Sequence, residues 1–180
     1  MMNAKALNRP FLFLAVCLCL ASAGSAMAAV DMFLKVDGIK GESTDKGHKD
    51  EIDVISWSWG VAARAEARAG KRGCVQDVTL TKLVDRATPA LVGAAALGTQ
   101  IPKAVLTVRK PTSAPSGLEF LTLELNQVLV SSVQQAASNA QDQVFEQVTL
   151  KAETILVSYR SQNPDGSAGV PVTASVSGGC

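Results

Sequence analysis

The chain is 180 residues long, enough for one ordinary domain with a real core. Its 17 basic and 16 acidic residues nearly cancel, which leaves no electrostatic case for nucleic acid or for an anionic membrane surface. Aromatic residues make up 4% of the chain while Val, Leu, Ile, Thr and Ser are plentiful, a mixture that suits half-buried strands and argues against a protein of long helices.

The first residues read as an export leader. Lys5 and Arg9 give a short positive start, and residues 11–20 are an unbroken apolar run. A run of that length is too short to span a bilayer, which takes about 20 residues. Small residues follow, and Ala26-Met27-Ala28 fits the A-x-A cleavage pattern. A secretory signal over 1–28 is therefore expected, with a single domain over 29–180 and no membrane association after cleavage. Cys17 and Cys19 leave with the signal, so Cys74 and Cys180 remain. In an oxidising compartment these two can form a disulfide with each other or bridge neighbouring subunits.

In the mature chain, residues 33–36 predict a short strand, and the charged stretch 42–51 a polar surface loop. Residues 52–60 predict one strand. Alternation places Ile55, Trp57 and Trp59 on one face, for core or subunit packing, and Ile52, Val54, Ser56 and Ser58 on the other. Residues 61–73 predict a long loop, made locally basic by Arg64, Arg68, Lys71 and Arg72. Residues 75–84 alternate, with Val78, Leu80 and Val84 on one face and Thr79, Thr81 and Leu83 on the other.

One helix is predicted, with Thr88 as N-cap, Pro89 at the first helical position and Gly98 as its stop. Residues 101–110 predict a strand, as do 118–130, where the apolar phase slips at Val128-Leu129-Val130 and suggests a bulge. Residues 131–143 read as a polar loop and 144–159 as another long strand. Asn163-Pro164-Asp165-Gly166 is a turn signal. Val170, Val172, Ala174 and Val176 alternate in a last strand. Six or seven strands and one short helix imply a mainly β fold, a compact antiparallel barrel of two packed sheets with the helix at its flank.

Catalytic groups are scarce. The single histidine, His48, sits in the charged loop. There is no H-E-x-x-H, C-x-x-C, G-x-S-x-G or phosphate loop. His48 and Cys74 are the one conceivable nucleophile pair, but His48 reads better as a solvated loop residue and Cys74 as a strand residue. The acids around His48 have neighbouring lysines to neutralise them. No enzyme, cofactor or metal is expected.

The run Met32-Phe33-Leu34-Lys35-Val36-Asp37-Gly38-Ile39-Lys40-Gly41-Glu42-Ser43, with His48 through Trp57-Ser58-Trp59-Gly60, resembles the opening of the haemolysin co-regulated protein (Hcp) family of type VI secretion. Matching blocks follow in order: Gln76-Asp77, Thr81-Lys82, residues 85–89, Ile101-Pro102-Lys103-Ala104, residues 107–110 and 128–133. The resemblance implies a small β-barrel with a flanking helix. It further implies hexameric rings, stacked into a hollow tube that holds small effector proteins and meets the secretion apparatus. It assigns ring stacking to the 61–73 loop, whose Arg/Ala make-up departs from the family's usual form, and puts Ser58 on the lumen. A tube built in the cytoplasm needs no export signal. The leader therefore marks either an exported variant, including a periplasmic or secreted binding module outside a working tube, or translation that begins at Met27.

Overall fold

The computed structural model describes residues 30–63, 73–112, 116–139 and 142–178. Within them run β1 (Asp31–Val36), β2 (Ile52–Asp53), β3 (Ser56–Ser58), β4 (Val61–Ala62), β5 (Cys74–Val75), β6 (Val78–Leu83), α1 (Thr88–Leu97), β7 (Gln100–Lys110), β8 (Leu118–Ala137), β9 (Val144–Gln162) and β10 (Ala168–Ser177). The fold is mainly β with one short helix, as expected, but more finely divided than six or seven strands. One antiparallel sheet has the order β2-β1-β7-β8-β9-β6-β3, with β10 beside β9, while β4 and β5 form a ladder of their own.

The two ends of that sheet are joined covalently. β2 pairs with β1 and β3 pairs with β6, and only Val54 and Ile55 lie between β2 and β3. The Val54 N–H donates to the Met32 carbonyl (2.9 Å) and the next, Ile55 N–H, to the Thr81 carbonyl (2.8 Å). One short stretch of chain thus changes partner from one end of the sheet to the other.

This crossing also breaks the alternation expected over 52–60. Ile52 and Val54 are buried, and inward packing resumes at Trp57 and Trp59. Ile55 falls in the gap and is 46% exposed, so it does not share the packed face of the two tryptophans.

The core is aliphatic. Leu34, Ile52, Leu80, Leu106, Leu125 and Leu150 are almost wholly out of water, each contributing roughly 1.5–3 kcal/mol by burial. On β6 the inward phase takes Val78 and Leu80 as expected and then Lys82. Val84 lies past the strand and is exposed. Helix α1 packs on β8 through Leu91 and Ala94. Its cap residue is Ala87, not Thr88, and no side chain caps it. The Thr88 hydroxyl is engaged elsewhere. Gly98 ends the helix in the left-handed region (φ 61°), with the Thr99 N–H donating to the Ala94 carbonyl.

Strand β8 continues through the stretch expected to be a loop. Ser132 to Ala137 pair with Thr149 to Val144 on β9. The slip in apolar phase is real: Gln127 has φ 52°, and buried positions move from Leu123 and Leu125 to Val128 and Val130. A register shift follows between Val130 and Ser132. The turn at 163–166 forms as expected, the Gly166 N–H donating to the Asn163 carbonyl (2.9 Å).

Candidate assembly surface and buried charge clusters

Strand β9 divides into two stretches. Phe145 to Leu150 lie between β8 and β6, whereas Thr154 to Tyr159 lie between β8 and β10, which also pairs with Arg160 and Gln162. In the first stretch Glu146 faces Lys82 directly across the ladder, and both are fully buried. The Lys82 ammonium lies 2.7 Å from Asp85 Oδ1, 3.2 Å from Glu146 Oε1, 3.2 Å from Thr88 Oγ1 and 2.7 Å from the Leu83 carbonyl. The Gln135 amide donates to the other Glu146 oxygen (2.9 Å). Two charges leave water here only because each is matched by an opposite charge and by hydrogen bonds. The cluster joins β6, β8, β9 and the start of α1 and fixes their register, since a slip of one residue would leave both charges unpaired.

A second cluster lies on the outer side of β1, where residues 42–51 fold back over Phe33. His48 is not solvated: it is buried, stacked on Phe33 at 4.1 Å between ring centroids, with Nδ1 2.9 Å from Glu51 Oε2. Its Nε2 lies 3.4 Å from Glu119 Oε1 in an alignment too poor for a hydrogen bond. The Arg109 guanidinium sits 4.9 Å from the centre of Phe33. It donates to Asp31 Oδ2 (2.9 Å) and Asp45 Oδ2 (2.7 Å). So Asp45 is paired with a distant arginine, not with the lysines of its own loop. Arg109, together with the Gly47 N–H, pulls the Asp45 carboxyl down from 3.8 to about 2, and Asp45 in turn raises Arg109. Cys74 is disulfide-bonded and so offers His48 no thiolate to activate. Among the described residues no three His, Cys, Asp or Glu converge as a metal site.

Ser58 is exposed at the end of β3, opposite Thr79. Trp57 and Trp59 pack half-buried against the core, and the Trp59 indole N–H has no acceptor among the described residues. The root of the 61–73 loop is a ladder, Val61 opposite Val75 and Ala62 opposite Cys74. Arg64, Arg68, Lys71, Arg72 and Cys180 lie outside the described residues, as does the segment 1–28. Beyond Asn163, β10 presents Val170 and Val172 at 85% and 72% exposure, beside the half-exposed Tyr159. Among the described residues β10 pairs only with β9.

Sequence reasoning missed Lys82, Glu146 and Arg109. The signal for Lys82 was available: it continues the every-second-residue phase of Val78 and Leu80. No local pattern marks Arg109, whose partners are far away in sequence.

A family model described as "Type VI secretion system effector, Hcp" matches residues 33–159. The chain is 42% identical over 144 residues to the Hcp1 protein of Pseudomonas aeruginosa, covering 77% of this chain and 88% of that one. Among solved structures, Hcp1 of Salmonella typhimurium superposes with a TM-score of 0.68 at 33% identity, covering 84% of this chain and 95% of that one. A type VI secretion system effector of Yersinia pestis also gives 0.68, at 29% identity, covering 82% and 99% of the two chains. No described helix is long and apolar enough to cross a membrane. Sequence blocks, strand order and relatives converge: the chain belongs to the Hcp family of type VI secretion.

Proposed function

We propose that this protein is a type VI secretion tube subunit that docks with copies of itself in hexameric rings, which stack into a hollow tube carrying small effector proteins. The observation that carries this reading is β10. An edge strand with Val170 and Val172 in water is an aggregation liability for a monomer and a ready surface for a partner. A ring gives every such edge a neighbour, and its two unlike faces then stack head to tail. In this arrangement Ser58 faces the lumen, Arg64, Arg68, Lys71 and Arg72 lie in the stacking loop, and the exposed Ile55 joins a subunit contact. The leader over 1–28 directs export before assembly.

Electron microscopy of the purified mature protein tests the proposal. Annular particles, lengthening into tubes at high concentration, are expected. A monodisperse monomer at every salt concentration and redox condition would overturn it and favour a secreted binding module. N-terminal sequencing of the native protein tests the leader: Ala29 at the N-terminus is expected, and Met27 or Ala28 would defeat it.

A further inference from the structure

The C-terminal strand and the root of the 61–73 loop meet at one point. Where β10 ends, the Gly178 carbonyl accepts a hydrogen bond from the Val75 N–H (3.2 Å). Val75 is the neighbour of Cys74, and Gly178 lies two residues before Cys180. Cys74 is disulfide-bonded and is the only cysteine among the described residues. We infer that its partner is Cys180 of the same chain, and that this bond latches the C-terminal strand to the root of the stacking loop.

Chain reach supports the pairing. Disulfide-linked Cα atoms lie about 4.4–6.8 Å apart. Two residues of extended chain reach about 7 Å, so Cys180 needs only to turn back from Gly178 to meet Cys74. Cys17 and Cys19 lie in the leader, which cleavage removes. A bridge between the Cys180 residues of two copies would leave Cys74 without its disulfide.

The latch has a mechanical consequence. Among the described residues, β10 pairs along its length with β9, and its half-buried Val176 packs against the core. A covalent tie at its last residues stops it peeling from that end. The same tie fixes the ladder of Val61, Ala62, Cys74 and Val75, from which the loop projects. The bond forms by thiol–disulfide exchange with a disulfide-bearing oxidoreductase. One cysteine thiolate attacks the carrier's disulfide to give a mixed disulfide. The second thiolate displaces the carrier, which leaves as a dithiol with the two electrons and two protons that the cysteines gave up. Such carriers work in oxidising compartments, which an export leader would reach.

A peptide map of the full mature chain, exported to the periplasm and digested with trypsin without reductant, tests the bond. The peptide 73–82 should appear joined to 161–180, from protein running as a monomer on a non-reducing gel. Free, alkylated Cys74, two joined copies of 161–180, or the 73–82/161–180 pair found only in a dimer band would overturn the inference. Amide exchange tests the latch itself. Residues 172–177 should exchange at least about tenfold faster in Cys180→Ser. Cys74→Ser should do the same, and the double variant no more, because one bond is lost in all three. Unchanged exchange in the single variants would refute the latch. The peptide map does not depend on rings, and exchange is compared on the dissociated monomer, so a latched chain that never forms rings would defeat the tube proposal and leave the latch standing.

Discussion

The two stretches of β9 have the same kind of backbone and opposite surroundings. Phe145 to Leu150 pair on both sides with strands that carry core residues, and they bury Glu146 against Lys82. Thr154 to Gln162 pair with a strand whose Val170 and Val172 stand in water. The first stretch commits the chain to one register by making any other unaffordable in charge. The second commits its register through one core residue, Ile155, with Val157 half-buried beside it, and only toward its end do Tyr159 and the facing Val172 stand in water. A single strand can thus serve the fold at one end and offer a surface at the other.

The sharpest break of that comparison is at the charged end. Lys82→Met leaves Glu146 and Asp85 facing apolar surroundings, and urea unfolding should show a loss of about 3–5 kcal/mol. Adding Glu146→Leu should restore part of that loss, because a matched apolar pair replaces a broken ionic one. If Lys82→Met unfolds like the wild type, the cluster does not hold the register.

Gly41 tests the fold-back over Phe33. A Cβ there would run into the Glu51 carbonyl and the Ile52 Cα, so Gly41→Ala should cost about 1–3 kcal/mol by the same measurement.

A smaller effect is expected from pH. Asp45 holds its proton less tightly in the folded state, at about 2 against an ordinary 3.8. The unfolded chain therefore binds more protons as pH falls through that window, and Asp45's contribution, complete above it, is lost on the way down. Denaturation midpoints of Asp45→Asn should fall less steeply over that range than those of the wild type. Parallel slopes would remove Asp45 from the account.

The smallest effect on stability belongs to the exposed end. Val172→Lys should change it by no more than about 0.5 kcal/mol, while abolishing the annular particles expected of the wild type. Particles undiminished by the charge would place the subunit contact elsewhere.

How far the sequence foretold this molecule follows from the range over which each signal acts. The turn at 163–166, the stop at Gly98 and the strand phase at Val78 and Leu80 depend on neighbours a few residues apart, and they were legible. The extension of β8 through Ser132 to Ala137 was not, because polar residues there look like a loop until β9 is seen beside them. His48 was misread for a similar reason: a charged loop says nothing about the Phe33 ring waiting under it. Thr88 had a cap's chemistry, but its hydroxyl is held by Asp85, Lys82 and Glu146. The candidate surface was legible in part: alternation marked Val170 and Val172, while only the fold reveals that nothing lies over them in the monomer.

The pairing of β1 with β7 and of β6 with β9 sets an order of events. Leu34 must find Leu106, and Val78 must find Leu150. Until ribosomes deliver β9, strands β2, β1, β7 and β8 can pair as they do in the finished sheet, while β6 and β3 wait for β9 to join them to it. A chain with this wiring completes its sheet only late in synthesis, because the strand that joins its two halves comes ninth of ten.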